Sequence, residues 1–162
     1  MLYITTNLRE VNFSALMTVY EEGNRENGAL FHPELPEGQQ MLRAEQSFHQ
    51  YLKEVFFPMA GSVYAIWVEK DVYVSALRLE PYEDGLLLEA LETAPVCRRK
   101  GYASRLVRAV QEAFPQKIYS HVSRKNTPSL AVHKKCGFRQ VLDYAKYVDG
   151  SVERTAVTLC YP

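Results

Sequence analysis

The sequence predicts an α/β fold: a single mixed, mostly antiparallel sheet of six to seven strands, with about four helices on both faces. Three observations predict it. Residues 62–93 alternate in hydrophobicity at the period of a strand and carry two turn signals, Lys70-Asp71 and Asp84-Gly85, so three consecutive strands pair antiparallel. The next segment reads strand, helix, strand, ending in "KIYSHV", which demands one parallel pair with a right-handed crossover. Two closing strands, about 138–148 and 152–161, turn at Asp149-Gly150.

The elements follow in order. "LYITT" is a short N-terminal strand. Leu8, Val11, Ala15, Leu16 and Val19 fall on helical spacing, and the Gly- and Pro-rich "ENGALFHPELPEG" after them reads as a loop. A second helix fits 37–56, with Met41, Ala44, Phe48, Leu52 and Val55 on its apolar stripe. Pro95 stops the third strand of the meander. A helix then begins near Gly101, where Ala103, Leu106, Val107, Val110 and Phe114 recur. In "NTPSLAVHKKCGF", Thr127 is the expected N-cap and Pro128 suits the first helical position. Lys134 and Lys135 complement the dipole, Gly137 takes a left-handed cap, and Phe138 folds back onto the helix.

No repeat or linker divides the 162 residues, so 1–162 is read as a single domain. No apolar run reaches the ~18 residues that span a bilayer. The N-terminus lacks a basic leader, and Cys97, Cys136 and Cys160 are odd in number without metal spacing, so a cytoplasmic chain with free thiols and no metal site is expected. The net charge of zero hides a division: residues 1–96 carry six Lys/Arg against fifteen Asp/Glu, residues 97–162 thirteen against four.

The cations cluster in "VCRRKGYASRL", residues 96–106. There a strand gives way to a helix whose first N–H groups lack intrahelical acceptors and whose dipole end is positive. Gly101, Ala103 and Ser104 are small enough to admit an anion, and Arg98 and Lys100 can add charge-assisted bonds. Neither GxxxxGK[ST] nor GxGxxG is present, which excludes a P-loop and a dinucleotide fingerprint. What stands is Arg98-x-x-Gly101-x-Ala103.

This stretch resembles the acetyl-CoA loop of the GCN5-related N-acetyltransferase (GNAT) superfamily, Gln/Arg-x-x-Gly-x-Gly/Ala between a strand and a helix. "NTPSLAVHKKCGF" resembles the superfamily's second signature, an Asn followed by a short helix ending in Gly-Phe. The resemblance implies a GNAT-like fold with acetyl-CoA as cofactor and coenzyme A as product. It implies that Leu91, Glu92 and Thr93 offer backbone groups to the pantetheine arm. The diphosphate would rest on the N–H groups of Arg99, Lys100, Gly101, Tyr102, Ala103 and Ser104, beside Arg98, with Asn126 contacting the cofactor. Lys134 and Lys135 are either 3′-phosphate ligands or dipole caps.

Two departures stand out. Arg99 occupies a usual glycine position, so its backbone is expected to avoid the left-handed region. His133 replaces the tyrosine whose hydroxyl commonly protonates the departing thiolate. It is a candidate general acid, a partner for the cofactor sulfur, or a surface residue. For the general base, Glu89 and Glu92 lie an odd number apart and so are expected to face opposite sides of the sheet. Glu89 then shares a face with Leu91 and Thr93 and is the candidate base, its alternative being an ion pair with Arg78.

The expected activity is acyl-CoA-dependent N-acetyl transfer to a primary amine, a small cationic amine or a peptide amine, by direct attack on the thioester. The acidic first half, including Glu21, Glu22, Glu26 and Glu80, suits such an acceptor. Tyr64, Trp67, Tyr73 and Tyr82 belong to the core or stack on the ammonium. The alternatives are a non-catalytic acyl-CoA sensor on the same fold and a nucleic-acid module. The latter lacks a basic-aromatic stripe, so neither nucleic acid nor membrane is an expected partner, and the chain is expected to be a monomer or homodimer.

Overall fold

The computed structural model describes residues 1–162. Strand β1 (Leu2–Thr5) leads into helices α1 (Phe13–Val19), α2 (Glu21–Phe31) and α3 (Glu37–Tyr51). The meander β2 (Val63–Glu69), β3 (Val72–Tyr82) and β4 (Gly85–Thr93) precedes α4 (Tyr102–Ala113), β5 (Ile118–Ser123) and α5 (Thr127–Lys135). The chain closes with β6 (Arg139–Leu142), the small pair β7 (Ala145–Lys146) and β8 (Val152–Glu153), and β9 (Ala156–Tyr161). The seven-stranded sheet has the order β1-β2-β3-β4-β5-β9-β6, antiparallel except for β4–β5. Lys70 and Asp71 both adopt positive φ, as the primed turn of a two-residue hairpin requires. No helix is long and apolar enough to cross a membrane.

Alternation in the strands sends side chains to two cores. Leu77, Leu79, Leu86 and Leu88 pack under Leu106, Val107 and Val110 of α4. Tyr64, Ile66 and Ala76 pack on the opposite face against Leu16 and Val19 of α1 and against Leu52 and Phe56. Val55 was expected on this buried stripe but stands 49% exposed, while Phe56 is sealed. The reason is a wider π-turn over Leu52–Phe56, where the Phe57 N–H reaches the Leu52 carbonyl at 3.0 Å and shifts the facing residue by one.

The expected loop over 26–38 is half helix, because α2 runs to Phe31. Gly28, read as a breaker, is a packing contact. A Cβ there would lie 2.5 Å from the Gln40 carbonyl oxygen of α3. Gly28→Ala is therefore expected to cost about 2 kcal/mol despite alanine's better propensity. That is a fall of about 4–8 °C in the melting midpoint, measured by calorimetry; an unchanged midpoint would show that α2 and α3 separate freely.

Strand β4 positions the site. Arg78 pairs with Glu89 but Ala76 with Glu92, so β4 holds one residue more than β3 over this span. The bulge centres on Ala90, at φ 53°. Pairing of β4 with β5 covers only Leu86–Leu88 and Ile118–Ser120. Beyond it the two strands splay, leaving a β4 edge without a strand partner that runs toward α4.

Candidate active site

The splay opens a cleft of about 740 Å³ between β4, the 98–104 loop, α5 and α2. Every strand and loop residue predicted to touch the cofactor, and Asn126, lines it except Lys100, whose Nζ turns back to the Val96 carbonyl at 3.4 Å. No protein acceptor takes a hydrogen bond from the backbone N–H groups of Arg99 through Ser104. Arg99 and Gly101 both have left-handed φ, 62° and 80°, which turns successive amides into a concave nest at the start of α4. The expectation that Arg99 avoids this region is thus corrected. A non-glycine residue there costs about 1 kcal/mol or more. Such a nest binds oxyanions through the backbone alone.

The charged side chains are arranged otherwise than expected. Arg98 is held at the cleft mouth by Glu22 of α2, lies 3.9 Å from Glu92, and donates to the Thr93 carbonyl at 3.2 Å. Lys134 and Lys135 lie in the last turn of α5 and line no part of the cleft. Asn126, rather than Thr127, caps α5: its Oδ1 accepts from the Ser129 N–H at 3.2 Å. α2 adds Glu22, Gly23 and Glu26 to the wall, and α5 adds Pro128, Ser129 and Val132; of these only Glu22 and Glu26 were foreseen, as part of an acidic entrance for the acceptor. The helix that carries the α2 residues was not foreseen, because Gly23 and Gly28 interrupt its pattern.

The bulge also corrects the facing of the two glutamates. Residues paired across an antiparallel ladder point to the same side, so Glu89 and Glu92 share a face with Arg78 and Ala76. Leu91 points to the other core. Glu89 lines neither this cleft nor the adjoining one; it is mostly buried, 3.5 Å from Arg78. Glu92 is half-buried, and burial raises its carboxyl above the usual range, partly offset by Arg98. A Tyr64–Tyr20 hydroxyl pair (2.9 Å) ends on the Ala90 carbonyl, which accepts from Tyr20 at 2.7 Å and fixes the bulge from below. Ser75 Oγ donates to the Glu92 carbonyl at 2.7 Å.

A second cavity of about 420 Å³ adjoins the first, sharing Gly23 and Glu92 with it. Tyr20, Phe31, Phe48, Tyr51 and Arg78 form much of its wall. Glu92 is the only charged side chain common to both.

His133 is 1% exposed and lines neither cavity, so the surface reading of it is corrected. Its Nδ1 lies 2.8 Å from the Ser129 carbonyl, which can only accept, so that nitrogen carries the proton. Nε2 is buried without a partner, and burial lowers the imidazole's pKa. A depressed value means the unfolded chain binds the proton more readily. Stability is therefore complete above about pH 6.5 and is lost as pH falls through the folded value. His133→Phe is expected to flatten the acid loss of melting midpoint between pH 7.5 and 5.5, by up to about 1.4 kcal/mol per pH unit. Equal losses in both proteins would show that His133 protonates in place.

The family model described as the acetyltransferase (GNAT) family matches residues 26–138. No curated protein matches the chain by sequence. Among solved structures it is similar to PaiA N-acetyltransferase from Thermoplasma acidophilum in complex with coenzyme A, at 12% identity, TM-score 0.63, covering 99% of this chain and 98% of that one. It is also similar to the ribosomal-protein-S18-alanine N-acetyltransferase from Escherichia coli, at 15% identity, TM-score 0.57, covering 100% and 94%. IAA acetyltransferase from Bacillus cereus gives 15% identity and a TM-score of 0.58 over 99% and 98%.

Proposed function

The chain belongs to the acetyltransferase (GNAT) family, and from that premise we propose that it transfers the acetyl group of acetyl-CoA to a primary amine with Glu92 as the general base. The observation that carries this reading is the meeting of two features in one cleft: an unpaired β4 edge and a nest of free amides at the start of α4. The edge at Leu91–Thr93 fits an amide-bearing arm, which adds to it like a strand. The nest, Arg99 to Ser104, fits the diphosphate, and Asn126 lies alongside. These residues fit acetyl-CoA without Arg98, which Glu22 and Glu92 already neutralise.

Bound acetyl-CoA supplies an activated thioester carbonyl and a thiolate leaving group. The protein's residues do the rest. Glu22, Glu26 and Glu92 make the junction of the two cavities acidic, which draws in an acceptor that arrives as an ammonium ion. Glu92, accessible from both cavities, takes the ammonium proton, and the freed amine then attacks as the C–S bond breaks. A carboxyl raised by burial is a better match to this task than one at its ordinary value. His133 lines neither cavity and is given no part in protonating the leaving sulfur. A thiolate, with a parent thiol pKa of about 8.5, departs without a side-chain acid.

The test is a melting scan with acetyl-CoA against ATP and NAD, followed by thiol release with an amine panel. Saturation at 100 times Kd stabilises by about 2.7 kcal/mol. A rise of about 5–10 °C with acetyl-CoA alone is expected. No rise at millimolar acetyl-CoA would overturn the reading.

A further inference from the structure

Arg78 is the only Lys or Arg in the wall of the second cavity, and its guanidinium is short of partners. The guanidinium carbon stands 4.8 Å from the ring centre of Tyr51, 5.6 Å from Phe56 and 5.8 Å from Phe48. Its Nε is sealed 3.5 Å from Glu89 but makes no hydrogen bond, and no protein acceptor takes one from either Nη. Only Nε is buried without an acceptor, which is costly; the Nη donors keep access to the cavity, and no protein acceptor uses them. The planar fork of a guanidinium matches a carboxylate bidentately.

The surrounding charges narrow the occupant. Glu89 and Glu80 face Arg78 from the sheet, and Glu92 closes the cavity toward the acetyl donor. A purely cationic ligand would satisfy Glu92 and leave the Arg78 fork empty. A purely anionic one would meet Glu92 unpaired. Arg78 and the partner position of Glu92, Ala76, are two residues apart on β3, or about 7 Å. An amine and a carboxylate on one small molecule bridge that span. Phe31, Phe48 and Tyr51 offer its remaining atoms an aromatic surface.

We propose that the acceptor is a small apolar amino carboxylate, its amine presented to Glu92, its carboxylate held on the open fork of Arg78, and its side chain against Phe48 and Tyr51. The proposal rests on the acetyltransferase reading above and names the acceptor class for that site.

Thiol release from acetyl-CoA tests it, with acceptors that differ only in the carboxylate: L-phenylalanine against L-phenylalaninamide and phenethylamine, and spermidine as a carboxylate-free polyamine. The acid is expected to exceed its amide in kcat/KM by roughly 10- to 100-fold, the value of a charge-assisted hydrogen-bond pair. In Arg78→Met that ratio should fall to about one, and 3-phenylpropanoate, expected to compete with the acceptor in the wild type, should lose its effect. Arg78→Lys, which keeps the charge without the fork, should lie between. Preference of the wild type for the amide or for spermidine would overturn the proposal and leave the acetyltransferase reading intact. So would a ratio unmoved by either variant, because Arg78 would then serve only its ion pair with Glu89. Absence of thiol release with every acceptor, together with no thermal response to acetyl-CoA, would overturn both.

Discussion

Glu92→Gln is expected to lower kcat by about 10²- to 10⁴-fold, the range over which a positioned base contributes, while acetyl-CoA raises the melting midpoint of the variant as it does the wild type. The substitution keeps the volume and the Ser75 bond to the residue 92 carbonyl, so what it removes is a proton acceptor. In the wild type, kcat/KM should fall at low pH with unit slope through a carboxyl pKa above the ordinary glutamate value, since burial raises it. The base works ionised, so activity is present above that pKa and lost below it. In the variant this limb should vanish. Glu89→Gln has the same chemistry and a different expected result. Glu89 faces Arg78 rather than either cavity, so its loss strips a mostly buried guanidinium of its counter-charge. The cost, about 1–3 kcal/mol, should appear in the melting midpoint. If Glu89→Gln abolishes turnover in a protein that melts normally while Glu92→Gln does not, the two roles are exchanged.

Much of this arrangement was legible in residue order. The hairpin signals and the single strand-helix-strand unit specified a mixed sheet with one parallel pair, and the pair lies where that unit put it. Gly101 and the small residues after it marked the start of α4, where the free amides gather. Hidden from the sequence was anything decided by register. The bulge is one extra residue in β4, and it falls on Ala90, not on a glycine that would have announced a positive φ. A period-two reading across it reverses every facing beyond, which is why Glu89 seemed the base and Glu92 a backbone contact. The surroundings of the cation side chains were hidden for another reason. Arg98 sits where an anion-binding cluster should, but α2 brings Glu22 to it, and that contact joins residues far apart in sequence. The donors of the proposed seat are peptide N–H groups, which every sequence has and only φ and ψ can aim.

If backbone amides, and not the cations, hold the diphosphate, then Ala103→Asp should move stability and affinity in opposite directions. Ala103 lies in the first turn of α4, half-buried and facing the cleft, behind a cap residue that supplies no side-chain hydrogen bond. A carboxylate there can accept from the free amides and complements the positive end of the helix. The unliganded protein should gain about 0.3–1 kcal/mol, a rise of roughly 1–4 °C. The same carboxylate occupies the seat and repels a diphosphate in it, at a cost of several kcal/mol. Acetyl-CoA affinity should therefore drop about 100-fold or more, and the thermal shift on adding it should disappear. Arg98→Gln, by contrast, removes a charge already spent on Glu22 and Glu92 and should weaken acetyl-CoA by less than about tenfold. Calorimetric titration of both variants separates the two sources of binding. A large loss in Arg98→Gln with little in Ala103→Asp would mean that Arg98 leaves Glu22 when the cofactor arrives, and that the cations of "VCRRKGYASRL" carry the anion after all.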